Sequence, residues 1–286
     1  MKDWSYRGKE TKQFELTLQK YTKSKYVICT NTGTAALYIS CMLSDIKEND
    51  VVLVPAFSFI ATANAVSYLK AKIVFYDNIY LPDFNMLVRE YKPKAIITVH
   101  LFGKTANDFE NIVNRCKEDD IILIEDACQA LGSWYENQHL GTFGLFGALS
   151  FNGNKIITTG GGGAVLTQNK ELAEKARHLI TVAKCQDGTY NQIGFNFAMP
   201  AWNAKLGLKQ IKKIEKIKKQ KYKNSLNKEK PFDKDYNYWM SYEHYQFTGS
   251  RKAWSLISDM PMYKECEHGY LDNLRFYVKS LWIWEN

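Results

Sequence analysis

Lys155 ends the stretch Ser150-Phe151-Asn152-Gly153-Asn154-Lys155, and after Ile156-Ile157-Thr158-Thr159 come four glycines, Gly160 to Gly163. An apolar strand closes on a hydroxyl, a turn presents one amine, and the backbone then folds back closely. A lysine held out of water in this way loses its charge by desolvation and becomes a nucleophile, able to form a Schiff base with a carbonyl. The plain alternative is one surface lysine among many, because lysine is mostly exposed in folded proteins. The residues that keep it company have to decide between the two.

Three further segments supply such company. Thr30-Asn31-Thr32-Gly33-Thr34-Ala35-Ala36-Leu37 reads as the end of a strand and the start of a helix. Gly33 permits the tight turn, and the first free N–H groups of a helix face an anion. The segment suits a single phosphate: GxxxxGK[ST] is absent, and no GxGxxG follows a strand. Ordinary helix capping is the other reading. Ile121-Ile122-Leu123-Ile124-Glu125-Asp126 sets two carboxylates at a strand end. In a crevice at the carboxyl edge of a sheet, a desolvated Asp can hold a positive nitrogen and keep it protonated. Asp126 is the better candidate, because strand alternation turns Glu125 the other way. Gln129, one short turn on, could bond the same ligand. In Pro55-Ala56-Phe57-Ser58-Phe59-Ile60, both Phe57 and Phe59 read either as core or as a stacking platform.

Positioning these groups takes an alternating scaffold. Strands are expected at Tyr26–Thr30, Val51–Pro55, Lys72–Tyr76, Ala95–His100, Ile121–Glu125, Ala148–Phe151 and Ala164–Thr167. Helices are expected at Thr34–Leu43, Ile60–Tyr68, Ala106–Lys117 and Lys170–Ile180. Apolar strands alternating with helices mean an α/β domain around a mostly parallel, buried sheet. Past about Leu206 the character changes, so the chain divides into a large domain over 1–205 and a small C-terminal domain of mixed type over 206–286. The latter includes the aromatic stretch Tyr236-Asn237-Tyr238-Trp239-Met240 and the run Leu271 to Trp284.

The 286 residues are 45% hydrophobic and 24% charged, as in a soluble globular protein. No run is long and apolar enough to span a bilayer, and Met1-Lys2-Asp3-Trp4-Ser5 lacks the apolar core of a signal peptide, so a cytoplasmic location is expected. The six cysteines contain no CxxC pair and the five histidines no HExxH, which speaks against a disulfide framework and a metal site. Much of the net charge of +8 falls between Lys209 and Lys230, where Ile211, Ile214 and Ile217 would share one face of a basic amphipathic helix. Without an aromatic-basic RNA signature or a zinc finger, that run reads as solvated surface rather than a nucleic-acid site.

Together the segments resemble the DegT/DnrJ/EryC1/StrS family of sugar aminotransferases, pyridoxal-phosphate enzymes of the aspartate-aminotransferase fold (fold type I). The resemblance runs from about Phe14 to Gln210. It rests on Asn31-Thr32-Gly33-Thr34-Ala35-Ala36-Leu37, Ala61-Thr62-Ala63-Asn64-Ala65, Val99-His100-Leu101-Phe102-Gly103, Glu125-Asp126-Ala127, the lysine segment and Gly194-Phe195-Asn196-Phe197-Ala198-Met199-Pro200. It implies that Lys155 carries the cofactor and shuttles the proton. Asp126 would pair with the pyridine nitrogen, Gln129 would contact the ring hydroxyl, and Phe59 would stack on the ring. Thr34, Ala35 and Ser150, with Gly33 making the turn, would bind the phosphate. Asn196 would reach that phosphate from a second subunit, since family members build each site across a homodimer. Glutamate would load the amino group and a nucleotide-linked keto sugar would take it. The lysine segment with its glycine run is most similar to the branch acting on UDP-linked 4-keto-6-deoxy-N-acetylhexosamines.

Departures from the family pattern bear on the sugar pocket. The chain is shorter than typical members at both ends, Trp4-Ser5-Tyr6-Arg7-Gly8 standing where others have already completed a helix and a strand. Ala198 stands where the family commonly has Arg. A non-catalytic paralogue that binds a partner or serves structure is the alternative these departures motivate. A dehydratase of the same fold would have histidine in place of Lys155.

Overall fold

The computed structural model describes residues 8–76, 84–105, 108–225 and 267–269. The aromatic stretch at Tyr236, the run from Leu271, most of the expected small domain, residues 1–7 and Ala106 lie outside the described residues.

In chain order the elements are α1 (Lys9–Thr22), β1 (Tyr26–Thr30), α2 (Gly33–Leu43), β2 (Val51–Pro55), α3 (Ala61–Ser67), β3 (Lys72–Tyr76), α4 (Phe84–Tyr91) and β4 (Ala95–Val99). A 3-10 turn at Leu101–Gly103 leads to α5 (Phe109–Glu118) and β5 (Ile122–Asp126), then to the small hairpin β6 (Trp134–Tyr135) and β7 (Gln138–His139). β8 (Phe146–Ser150), β9 (Gly163–Thr167), α6 (Lys170–Leu179), α7 (Ala201–Ile211), α8 (Ile214–Ser225) and β10 (Glu267–Gly269) complete the described chain.

Eight strands form one sheet in the order β1-β9-β8-β5-β4-β2-β3-β10. Every pairing is parallel except those of β9, which runs antiparallel to both β1 and β8. The carboxyl ends of β1, β2, β4, β5 and β8 therefore open on one edge, where ligands bind in sheets of this kind. Period-2 alternation feeds both faces. Ile28, Val52 and Val54 pack with Ala36 and Leu37 of α2, while Val27, Cys29 and Leu53 pack with Phe14 and Leu18 of α1. A fully buried Phe or Leu contributes roughly 1.5–3 kcal/mol, so these two layers fix the sheet.

Each expected strand is present, with ends displaced by at most a few residues. One expectation needs correction. The basic amphipathic helix from Lys209 is the junction of two helices, broken at Lys212–Lys213, where Lys213 N–H donates to Gln210 O at 2.9 Å. Ile211 and Ile214, on either side of the turn, are both buried in the α1 layer. α7 runs through position 205/206 and packs along α1. Among the described residues no helix is long and apolar enough to cross a membrane.

Candidate active site

The phosphate turn is built where β1 ends. Thr30 Oγ1 donates to Thr32 O at 2.8 Å, and Thr32 Oγ1 caps α2 by accepting from Ala35 N at 3.0 Å. Ala35 N–H, expected to serve a phosphate, is thus engaged by the cap, while Gly33 and Thr34 stand before it in the first turn. A side chain cannot replace the hydrogen of Gly33: an added Cβ would lie 2.8 Å from Ser150 Cβ and 3.0 Å from Cys128 Sγ. Gly163 makes the matching approach from β9, where an added Cβ would lie 2.3 Å from Thr32 O. The helix start is therefore clamped against the ends of β8 and β9, with the hydroxyls of Thr34 and Ser150 beside it. Its dipole and first-turn amides favour an anion.

Two carboxylates leave β5 in opposite directions, as alternation requires. Glu125 turns inward and is fully buried. Its Oε1 accepts from His100 Nε2 at 2.9 Å and Gly141 N at 2.7 Å, and its Oε2 from Phe143 N at 2.6 Å and Gly144 N at 2.7 Å. It pins the 141–144 loop and is a structural anchor. Asp126 faces the crevice edge: Oδ2 accepts from Thr62 Oγ1 at 2.6 Å and Oδ1 from Cys128 N at 3.2 Å.

Lys155 lies within electrostatic reach of Asp126 and of the Cys128 thiol. Burial lowers its pKa below the ordinary lysine value, with Cys128 and Asp126 opposing the shift. Burial pushes the Cys128 thiol well up, Asp126 adds to this, and Lys155 opposes it. Cys128 is the joint of the site, since it also touches the space above Gly33. A lysine that gives up its proton more readily than usual, next to a carboxylate and an anion cradle, is equipped for covalent carbonyl chemistry.

The other expected residues fall around this centre. Phe59 is 62% exposed just before α3, whereas Phe57 is buried in the core, so of the two only Phe59 can offer a ring to a ligand. Gln129 Oε1 accepts from Phe102 N at 2.8 Å, which leaves its amide nitrogen as the end available to an acceptor. Asn196 is exposed, and its carbonyl accepts from Asn31 Nδ2 at 3.3 Å in the same chain. Sequence reading left Thr62, Cys128 and His100 without roles. Thr62 carried a usable signal, as the lone hydroxyl in the small-residue run Ala61-Thr62-Ala63.

An anion cradle, a carboxylate and an amine of lowered pKa, with one exposed aromatic nearby, fit pyridoxal phosphate. Gly33, Thr34 and Ser150 would hold its phosphate, Asp126 its ring nitrogen and Lys155 its aldehyde carbon. The sequence pattern of the DegT/DnrJ/EryC1/StrS aminotransferase family matches residues 1–235. EpsN of Bacillus subtilis (strain 168), named as a pyridoxal phosphate-dependent aminotransferase, is 37% identical over 240 residues, which cover 77% of this chain and 61% of EpsN. The chain thus spans less than two thirds of that relative's length. GDP-perosamine synthase of Escherichia coli O157:H7 is 32% identical over 255 residues, covering 82% of this chain and 70% of the synthase. The crystal structure of a DegT DnrJ EryC1 StrS aminotransferase from Brucella abortus superposes with a TM-score of 0.77 at 25% identity, covering 92% of this chain and 81% of that one. Helicobacter pylori PseC shares the fold, with a TM-score of 0.78 at 24% identity over 91% of this chain and 80% of its own. The chain belongs to the DegT/DnrJ/EryC1/StrS aminotransferase family.

Proposed function

We propose that the protein is a pyridoxal-phosphate-dependent aminotransferase that moves an amino group from glutamate to a nucleotide-linked keto sugar. Within that class the substrate we assign is a UDP-linked 4-keto-6-deoxy-N-acetylhexosamine. The observation that carries the reading is Lys155, an amine of lowered pKa within electrostatic reach of Asp126 and of Cys128, whose thiol also bounds the space above Gly33. GDP-perosamine synthase and the altrosamine transaminases of Campylobacter jejuni, relatives at 30–32% identity, are named for amino-sugar products, which supports the substrate class.

Bound here, pyridoxal phosphate supplies an aldehyde for attachment to amines and an electron sink for the carbon beside the nitrogen. The chain's own residues do the rest. Asp126 would hold the protonated ring nitrogen, Gln129 would donate to the ring hydroxyl, and Phe59 would offer its ring to the cofactor. Gly33, Thr34 and Ser150 would anchor the phosphate. Lys155 Nζ would take and return the proton at the substrate carbon. Asn196 of a second copy completes the phosphate site in a homodimer.

Purified protein incubated with pyridoxal phosphate should turn yellow, and borohydride should fix the cofactor on the peptide containing Lys155. Lys155→Ala should fold and lose both the fixed label and all turnover. A protein that ignores the cofactor would refute the reading. Uptake without bleaching of the yellow band by glutamate or by any amino sugar would instead favour a non-catalytic paralogue.

A further inference from the structure

We infer that Ser58 and Thr62 are positioning residues, a relay of two hydroxyls that aims the carboxylate of Asp126 into the crevice. The inference rests on the cofactor reading above and extends it to residues outside the cofactor's own contacts.

Several helical hydroxyls elsewhere in this chain bond back to their own helix. Thr22, Ser40, Ser44 and Ser67 each donate to the carbonyl four residues back: Leu18 O, Ala36 O and Ser40 O at 2.8 Å, and Ala63 O at 3.2 Å. That is the default for Ser and Thr in helices. Thr62, the second residue of α3, has no helical carbonyl four residues back and turns its hydroxyl elsewhere. Its hydroxyl donates to Asp126 Oδ2, 64 residues away, at 2.6 Å, within the range of a charge-assisted O–H···O⁻ bond.

A hydroxyl carries one proton. With Thr62 donating to Asp126, the 2.8 Å contact between Ser58 Oγ and Thr62 Oγ1 has its direction fixed: Ser58 donates. The chain therefore runs from Ser58 through Thr62 to Asp126, each bond polarising the next. All three residues are buried, so water does not compete. Asp126 Oδ2 is held by this relay and Oδ1 by the Cys128 amide. The carboxylate plane is set from two sides, leaving acceptor capacity for a ring N–H. Ser58 closes the turn after β2 and Thr62 lies in the first turn of α3, so the turn that carries Phe59 also orients the acid.

The test uses apoprotein titrated with pyridoxal phosphate, read by the visible absorption and the visible circular dichroism of the bound cofactor, which reports ring orientation. Thr62→Val removes the hydroxyl and keeps the shape. It should weaken the dissociation constant about tenfold or more, as for loss of a bond to a charged group, and change the visible dichroism. Thr62→Ser should restore both. Ser58→Ala, at the far end of the relay, should weaken binding several-fold with an unchanged melting temperature. Wild-type affinity and dichroism in Thr62→Val would overturn the relay while leaving the cofactor reading intact. A wild-type protein that takes up no cofactor would overturn the cofactor reading and the relay's role with it. If Thr62→Val does not fold, Ser58→Ala decides: several-fold weakening upholds the relay, and wild-type affinity refutes it.

Discussion

Glu125→Gln is a near-isosteric change whose cost can be worked from the donors around it. The carboxylate is fully buried and accepts four bonds, from His100 Nε2, Gly141 N, Phe143 N and Gly144 N. Glutamine offers one acceptor oxygen and one NH2. Turning the oxygen toward Phe143 and Gly144 leaves the NH2 facing His100 and Gly141. The imidazole can adapt by presenting an acceptor nitrogen, but the Gly141 amide cannot. One buried N–H is then left facing another donor, at about 1–3 kcal/mol, and the two remaining backbone bonds lose their charge assistance, about another 1 kcal/mol. The expected loss is about 3 kcal/mol, which for a domain of this size lowers Tm by about 10 °C. Glu125→Ala, which abandons all four donors, should be worse. Thermal unfolding by far-UV circular dichroism, with urea midpoints as a second measure, reads both. A Glu125→Gln protein melting within about 2 °C of wild type would refute the view that this carboxylate anchors the 141–144 loop.

Two further outcomes follow from the same geometry. Gly33→Ala places a methyl inside contact distance of Ser150 and Cys128 and must shift the start of α2, an overpacking cost of roughly 1–3 kcal/mol. Apoprotein affinity should fall about tenfold for pyridoxal phosphate and stay unchanged for pyridoxal; an equal loss for both would place the phosphate elsewhere. His139 is fully buried with Nε2 accepting from Gly132 N at 2.9 Å, so the neutral ring carries its proton on Nδ1. Burial lowers its pKa from 6.5 to about 3, with smaller contributions from His100 and Lys218 in the same direction and from the Leu140 backbone against it. Between those values the unfolded chain binds a proton that the folded one does not, so stability falls as pH falls below 6.5. From there to about pH 5 the slope amounts to about 2 kcal/mol. His139→Gln should flatten that part of a urea-midpoint-against-pH curve; an unchanged slope would refute it.

Legibility in the sequence followed a physical line between local and long-range causes. Strands such as Val51–Pro55 and Lys72–Tyr76 were readable because a buried parallel strand needs a continuous apolar run, whatever its neighbours. α1 was not, because only Phe14 and Leu18 of its buried face are apolar. The rest of that face is Thr11, Thr22 and Glu15, the last buried against Cys29 N and Arg177. No apolar stripe marks such a helix. α4, with Phe84, Leu87 and Val88 buried, is short enough to hide its period.

The site divides the same way. Gly33, Asp126, Ser150 and Lys155 stand at or just beyond strand ends, and a strand's carboxyl end in an α/β sheet is a place the chain announces locally. The choice of Asp126 over Glu125 needed only the alternation of one strand. Thr62 is different in kind. α3 follows β2, and Asp126 ends β5, with β4 between them in the sheet. Thr62 therefore meets Asp126 only because the strand order is β2-β4-β5, and no window of sequence contains that order. In the first turn of α3 its hydroxyl has no helical carbonyl four residues back, and it is recruited across the sheet to the acid at its edge.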